Sequence, residues 1–393
     1  MDQKLQKQVI DSSSDATYAA ILDEFRKYTG VEPPPRLLEA PVFFSRDLKN
    51  QCIDAAMDLC RQMRGKEFIR KTESAIPDRF RTPNETTHPN FIILDFAVIE
   101  KDDGFGLGLI ELQGAPSVNA LALLFDDYYR KHLTIPEGQT AYPPGMTRER
   151  SEQLLRDVIL GKHDPENVVL TEIVPEKQGG YIDQVATCRM LGIQEVPIDE
   201  LQKKGNKLYY KRDGIDVPIH RLYNRCVLEE IDERKATLNF SFQDDLDMEW
   251  ADHPNWFYRI SKFTMPMLDS PYVPPCTVLS KLDAIPTDLE HYIMKPLWDK
   301  GGHGVNVNPT RADVEAVENP SNMILQRKIT FATAFHSPAG PRKIEPRVML
   351  LWLDEAEEPE IVSIKPRVFA GNLSNEHPGD VPWVGATITY FPE

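Results

Sequence analysis

The stretch that decides the fold covers residues 291–305 and reads HYIMKPLWDKGGHGV. An apolar strand ends there at Lys295, and Gly301, Gly302 and Gly304 follow a few residues later. Glycines in such a turn let backbone N–H groups approach phosphate oxygens without a Cβ atom in the way. A nearby lysine adds a compact positive charge for the same phosphates. The pattern favours a phosphate-binding turn, although a plain hairpin tip has the same composition and the glycines are not those of a Walker A loop.

The predicted elements before and after this stretch have a recognisable order along the chain. Before it, Lys262 lies on a helix predicted for residues 255–268, and a Val-Pro-Pro connector follows that helix. After it come an apolar strand that turns polar (323–329), two strands with charged ends (344–347 and 364–367) and a polar turn (371–375). A helix lysine, a strand lysine, a glycine turn and charged strands thus succeed one another.

This order resembles that of the ATP-grasp superfamily. Within the superfamily the chain is most similar to the synthetase domain of glutathionylspermidine synthase and its uncharacterised relatives, over residues 90–393 but patchily between 120 and 215. The resemblance implies a carboxylate–amine ligase that uses ATP and Mg²⁺. In such a reaction ATP phosphorylates an acid, an amine displaces the phosphate, and ADP and phosphate are released.

The resemblance also implies roles for particular residues. ATP would be bound by Lys262, Lys295, Gly301, Gly302, Gly304 and Gln326. Gln326 would meet the adenine amino group, with a plain surface glutamine as the alternative. Arg367 would face the transferred phosphate. Arg225, which ends a strand before the ATP-binding segment, is a candidate for the acid substrate, and a salt bridge to Glu229 or Glu230 is its alternative.

Two carboxylates interrupt apolar strands earlier in the chain. Asp95 lies within FIILDFAVIE (91–100), and Glu111 follows Leu-Ile near the end of the next strand. An unpaired carboxylate buried in a strand is costly, and a shared Mg²⁺ explains both. The resemblance adds Gln113 as a third ligand. The alternatives are a salt bridge between Asp95 and an arginine, and a solvated strand end for Glu111.

Two positions depart from the family pattern. Gln113 stands where the family has asparagine, and its longer side chain shifts the metal or inserts a water. Ile93 stands where the family often has an arginine, so the acid is held differently or is a different acid. Three other functions stay open: an ATP-grasp kinase with the same ATP site, a catalytically inactive nucleotide-binding module, which the two departures favour, and an interaction protein without an ATP site.

The chain is expected to be an α/β protein of three parts. Residues 1–150 carry helices and the metal-bearing β-hairpin. Residues 151–250 contain a βαβ unit and resemble a Rossmann-like pre-ATP-grasp domain. Residues 251–393 resemble the ATP-grasp domain, which holds ATP between two small sheets.

Composition and net charge argue against some classes of binding partner. The formal net charge of −16 argues against nucleic acid, which needs a basic face. The five cysteines lie far apart, which is typical of reduced, buried thiols. No run approaches the ~20 apolar residues of a membrane-spanning helix, and the N-terminus has no apolar signal core. We expect a cytoplasmic enzyme with a small-molecule acid and amine as substrates, and the sequence leaves a homo-oligomer open.

Overall fold

The computed structural model describes residues 1–33, 36–298, 304–371 and 381–393. Its α-helices are α1 (Gln3–Ser12), α2 (Asp15–Thr29), α3 (Arg46–Gln62), α4 (Gly65–Lys71), α5 (Asn119–His132), α6 (Arg148–Leu160), α7 (Tyr181–Leu191), α8 (Leu228–Glu233), α9 (Asn255–Arg259) and α10 (Arg311–Glu315). Its strands are β1 (Val42–Phe43), β2 (Phe91–Lys101), β3 (Gly104–Gln113), β4 (Gln139–Thr140), β5 (Val168–Glu172), β6 (Gln194–Pro197), β7 (Gln202–Lys204), β8 (Lys207–Arg212), β9 (Ile215–Ile219), β10 (Arg221–Asn224), β11 (Glu249–Ala251), β12 (Cys276–Val278), β13 (Tyr292–Pro296), β14 (Met323–Arg327), β15 (Phe335–Ser337), β16 (Gly340–Leu351), β17 (Glu360–Phe369), β18 (Gly385–Ala386) and β19 (Thr389–Pro392).

The largest sheet has the order β18-β17-β16-β2-β3, with β15 also paired to β16. All of its pairs are antiparallel. The predicted hairpin is confirmed as β2 and β3, and the apolar run of β2 is buried against the main core. This sheet joins strands from the predicted N-terminal part to strands from the predicted C-terminal part. It therefore crosses the boundary at residue 150, and the division into three consecutive domains stays a prediction.

A second sheet is parallel and has the order β11-β10-β5-β6. The predicted βαβ unit is confirmed as β5, α7 and β6. From β5 the chain first adds β6 on one side and later β10 and β11 on the other. The strand order thus reverses between β5 and β10, and such a reversal opens a crevice at the carboxyl ends of the strands.

A third, three-stranded sheet has the order β12-β14-β13 and is antiparallel. It contains the strand that ends at Lys295. A separate antiparallel meander consists of β7, β8 and β9. The predicted N-terminal helices include α2 and α3, whose first turns are capped by the Ser14 and Ser45 hydroxyls.

The predicted helix over 255–268 is wrong in its length. The helix α9 ends at Arg259, and Ile260 already has an extended backbone with ψ of 91°. The Ser261 hydroxyl donates to a carbonyl three residues earlier and accepts from the amide two residues later. These local hydrogen bonds compete with continued helical pairing. Lys262 therefore lies in a turn after the helix.

In the part of the chain that the structure describes, no helix is both long enough and apolar enough to cross a membrane.

Candidate active site

One face of the six-stranded sheet carries a row of charged side chains on four adjacent strands. Glu111 on β3 lies opposite Asp95 on β2, Asp95 lies opposite Arg347 on β16, and Arg347 lies opposite Lys365 on β17. Directly paired residues of antiparallel strands project to the same face. We call these four residues the charged row. It places two carboxylates beside two cations.

Asp95 and Arg347 form a buried, two-pronged ion pair in this row. Arg347 Nε and Nη2 donate to the two Asp95 oxygens at 2.7 and 2.6 Å, and the Asp95 side chain is 1% exposed. Burial by itself lowers the pKa of Arg347, but the Asp95 charge outweighs it, so the pKa lies above its usual value. The structure thus contains the salt bridge between Asp95 and an arginine, which the sequence offered as the alternative to metal binding. A metal-binding role for Asp95 stays a prediction.

Glu111 lies at the centre of a second cluster. Its Oε2 is 3.2 Å from Lys262 Nζ, and its Oε1 accepts a hydrogen bond from Gln113 Nε2 at 3.0 Å. Burial raises the pKa of Glu111, but Lys262, Lys295 and Arg347 outweigh it, so the pKa lies well below its usual value. The structure brings together Glu111, Gln113, Lys262 and Lys295, four of the predicted site residues, from three separate segments.

Lys295 reaches this cluster from the three-stranded sheet. Its Nζ donates to the carbonyl oxygen of Ile110 at 3.1 Å. Burial lowers the pKa of Lys295 to about 8, and the neighbouring Glu111 carboxylate partly offsets that effect. The inner face of the three-stranded sheet therefore contacts β3, and we call the region where the two sheets meet, together with the charged row, the cleft.

Gln326 shares that inner face. It lies opposite Ile293 on β13, whereas Lys295 lies opposite Ile324, so alternation puts Gln326 and Lys295 on one side. Gln326 is 2% exposed, and its Oε1 has no hydrogen-bond partner among the described residues. It is therefore not a surface glutamine. A buried acceptor without a donor costs about 1–3 kcal/mol, which a ligand N–H group would recover.

Lys365 and Arg367 lie on the same face of β17, two residues apart. Arg367 Nη1 is 3.7 Å from Glu345 Oε1 on the neighbouring strand. Lys365 is 8% exposed, and its Nζ lies 5.7 Å from the centre of the Phe125 ring. Burial, reinforced by the charges of Arg347 and Arg367, lowers the pKa of Lys365 to about 7. Sequence reasoning selected Arg367 and missed Lys365 and Arg347, although strand alternation already put residues 365 and 367 on one face.

Arg225 lines a cavity of about 270 Å³ at the carboxyl ends of β5 and β10. Its Nη1 donates to the Ser117 carbonyl at 2.9 Å and to the Tyr223 hydroxyl at 3.3 Å. Among the described residues it forms no ion pair with Glu229 or Glu230. Lys262 and Gln113 line the same cavity. The crevice of the parallel sheet thus opens toward the Glu111 cluster.

The glycine turn is only partly described. Gly304 lies in an exposed turn with φ of 66°, a left-handed conformation that glycine adopts without strain. Gly301 and Gly302 lie outside the described residues, as do residues 372–375 of the predicted polar turn.

The predicted magnesium site stays a prediction, and the donors present can be compared with what the ion needs. Within the described ranges, no three His, Cys, Asp or Glu side chains are placed to share a metal ion. Glu111 and Gln113 do lie side by side. Magnesium in proteins is commonly held by one or two carboxylates together with phosphate oxygens and water. These residues fit a magnesium ion that is shared with a bound phosphate, with Glu111 as its carboxylate.

No family model matches this chain, and no curated protein matches it. A solved structure does match: a glutathione synthetase-like effector from Globodera pallida in its apo form. The TM-score is 0.56 at 11% sequence identity, and the match covers 98% of this chain and 99% of that chain. At that identity the similarity shows the fold alone. The chain therefore has a mixed α/β fold similar to a glutathione synthetase-like fold over its whole described length.

Proposed function

We propose that this chain is an ATP-dependent ligase of the ATP-grasp type, which joins a carboxylate to an amine through an acyl phosphate. The observation that carries the proposal is the meeting of Lys262 and Lys295 at Glu111, in a cleft between two sheets. The whole-length similarity to a glutathione synthetase-like effector supports a ligase-like scaffold. The ATP-grasp arrangement of the sheets and the ligase reaction are parts of the proposal.

The charge of the cleft favours a polyanionic ligand. Among the described residues, the charged row and the Glu111 cluster, together with their ion-pair partners, contain five cations (Lys262, Lys295, Arg347, Lys365, Arg367) and three carboxylates (Asp95, Glu111, Glu345). Within this group two cations are therefore not matched by a carboxylate, in a protein whose formal net charge is −16. Buried positive charge that nearby carboxylates do not balance is stabilised by anionic ligand groups such as phosphates and carboxylates.

The proposed roles follow from position. Lys262 and Lys295 neutralise the phosphates, and Gln326 Oε1 accepts a hydrogen bond from the adenine amino group. Glu111 and Gln113 hold a magnesium ion, which supplies charge neutralisation on the phosphates when bound. Arg367 stabilises the charge of the phosphoryl group in transfer.

Two bond exchanges make up the reaction. A carboxylate oxygen of the acid attacks the γ-phosphorus, the bond from that phosphorus to the bridging oxygen breaks, and ADP leaves. The amine nitrogen then attacks the carbonyl carbon of the acyl phosphate, loses a proton, and expels inorganic phosphate. The Arg225 cavity, at the strand-order reversal of the parallel sheet, is the proposed place for the body of the acid.

One observation favours a second candidate, a nucleotide-binding module without turnover. Both Asp95 oxygens are taken by Arg347, so Asp95 has no oxygen that is free of a strong donor. If Asp95 is needed as a metal ligand, this ion pair opposes the reaction. The module would bind Mg-ATP and release no ADP.

An isotope experiment tests the ligase proposal. A panel of acids and amines is first screened for ADP release, and the active acid is then labelled with ¹⁸O in its carboxylate. The mechanism transfers one labelled oxygen to the released phosphate. Label in AMP would indicate adenylation instead, and unlabelled phosphate together with an amide product would refute the acyl phosphate. Mg-ATP binding without ADP release across the panel would favour the module.

A further inference from the structure

Lys365 is a buried lysine that forms no hydrogen bond or close ion pair with a described residue, although the Asp183 and Asp95 carboxylates act on it at longer range. The residue is 8% exposed, and its Nζ is placed over the Phe125 ring of α5 at 5.7 Å. No hydrogen bond or ion pair to a described residue satisfies it. An unpaired charge at this depth is costly to keep, so the position calls for an anion from outside the chain.

The other cations of the cleft have their own partners. Arg347 pairs with Asp95, Arg367 with Glu345, and Lys262 with Glu111. Lys295 donates to a carbonyl and lies beside Glu111. Of these five cations, Lys295 and Lys365 are therefore the two that form no ion pair with a described residue.

These two lysines lie at opposite ends of the charged row. Lys295 lies at its β3 end, and Lys365 lies three strands away on β17. At about 4.8 Å per strand, the backbones of Glu111 and Lys365 are about 14 Å apart. Two charges so far apart suit two separate anionic groups better than one.

We propose that Lys365 binds the carboxylate of the acid substrate, at an anion site separate from the lysines that hold the nucleotide. This inference rests on the proposed function and adds the position of the phosphoryl acceptor. A carboxylate suits the site because the neighbouring Arg347 already uses three of its five N–H donors within the protein: Nε and Nη2 bind Asp95, and Nη1 binds the Ser117 hydroxyl at 2.9 Å. One surplus charge then matches one monoanion.

Ser117 and Asp183 link Arg225 of the cavity to the charged row. The Ser117 carbonyl accepts from Arg225, and its hydroxyl accepts from Arg347, which lies opposite Lys365. Asp183 on α7 interacts electrostatically with both Arg225 and Lys365. The proposal therefore places the body of the acid in the cavity and its carboxylate at Lys365.

The site is tested by NMR of protein with ¹³C-labelled lysine, with acetate as the carboxylate probe and inorganic phosphate as the comparison. The Lys365 side-chain signal is the one that disappears in Lys365→Met. We expect acetate to shift this signal in a saturable way at constant pH. Lys365→Met should weaken acetate binding about tenfold or more, because the cation that binds the carboxylate is gone.

Two further variants make the result specific. Lys365→Arg keeps the charge and should keep most of the acetate affinity. Lys49→Met is the matched control: Lys49 is 4% exposed and lies 5.5 Å from the Phe391 ring, but it donates to the Pro392 carbonyl away from the cleft. It should leave acetate binding unchanged.

The outcomes separate this inference from the proposed function. Acetate that leaves the Lys365 signal unmoved, or phosphate that shifts it more than acetate does, overturns the carboxylate site. Loss of nucleotide binding in Lys365→Met also overturns it, because Lys365 would then belong to the phosphate site. If Mg-ATP fails to bind the wild-type protein, the ligase proposal falls, whatever acetate does.

Discussion

Lys295 donates its side-chain hydrogen bond to Ile110 at the one point where β3 slips out of register with β2. Asp95 pairs with Glu111 but the next residue of β2 pairs with Leu109, so Ile110 is an extra, bulged residue. A bulged residue is left out of the ladder, and bulges are common beside active sites. Here the carbonyl of the bulge is bound by a lysine of the opposite sheet, directly beside Glu111.

Nucleotide binding should stabilise the fold. Mg-ATP at 100 times its Kd adds about 2.7 kcal/mol to the unfolding free energy, which a melting curve resolves. Lys295→Met should lose most of this increase in Tm, and Lys49→Met should keep it. A wild-type Tm that does not move at saturating Mg-ATP would contradict the proposed nucleotide site.

The Glu111→Ala variant should fold but lose turnover. The Glu111 side chain is 26% exposed but its partner Lys262 is only 11% exposed, so removing the carboxylate costs about 1–3 kcal/mol, less than the total stability of a typical domain. Because the proposed magnesium ligand is gone, the rise in Tm with ATP should no longer depend on added Mg²⁺. Urea unfolding and magnesium titration of the Tm measure the two effects. A variant that unfolds, together with a wild type insensitive to Mg²⁺, would assign Glu111 to the fold alone.

Arg347→Met should be strongly destabilising. It leaves the Asp95 carboxylate, 1% exposed, without its partner, and breaking such a pair costs about 3–5 kcal/mol. Asp95→Asn combined with Arg347→Met should recover much of that loss, because the uncompensated charge is removed. A double-mutant cycle by urea unfolding measures the coupling. If Asp95→Asn costs no stability but abolishes the response to Mg²⁺, Asp95 is a metal ligand after all.

Gln326→Leu should stabilise the ligand-free protein by about 1 kcal/mol, because it removes a buried acceptor that has no donor. The same change should reduce the preference for ATP over GTP, since the proposed contact to the adenine amino group is lost. Thermal shifts with the two nucleotides report this preference. An unchanged preference would place the base elsewhere.

The stability effect of Lys365 should depend on pH. In the unfolded chain the lysine keeps its proton up to its ordinary pKa of 10.5, whereas the folded pKa is about 7. Between these values the unfolded state binds more protons, so this group makes the unfolding free energy rise with pH, by at most about 1.4 kcal/mol per unit. Lys365→Met lacks this term. The unfolding free energy of the variant minus that of the wild type should be greatest below about pH 7 and should decline toward about pH 10. The same difference at pH 7 and at pH 10 would contradict a buried lysine with a lowered pKa.

Local sequence patterns predict the secondary-structure elements whose residues lie close together in the chain. The β2–β3 hairpin and the βαβ unit were predicted because periodicity and turn residues lie within a few residues of one another. The helix over 255–268 was overestimated because the Ser261 side chain competes with helical hydrogen bonds, which a hydrophobic pattern does not register.

Contacts between distant segments set the rest of the site. Nothing near Asp95 in sequence indicates that its arginine comes from residue 347, 252 positions later. The place of Lys365 in the charged row likewise depends on the pairing of β17 with β16, which brings Lys365 opposite Arg347. The role of Gln326 stays a prediction, and its burial depends on how the three-stranded sheet packs against the rest of the protein, which no local pattern encodes.

The pairing of β2 with β16 also has a consequence for folding during synthesis. During synthesis from the N-terminus, β2 and β3 are complete long before β16 and β17 exist, so their hairpin must wait with one edge unpaired. Pairings of such long sequence separation form late and slowly, because the intervening chain must be closed first. The charged row therefore assembles only when the last third of the chain has emerged from the ribosome, and until then the exposed edge of β2 is a surface on which misassembly can start.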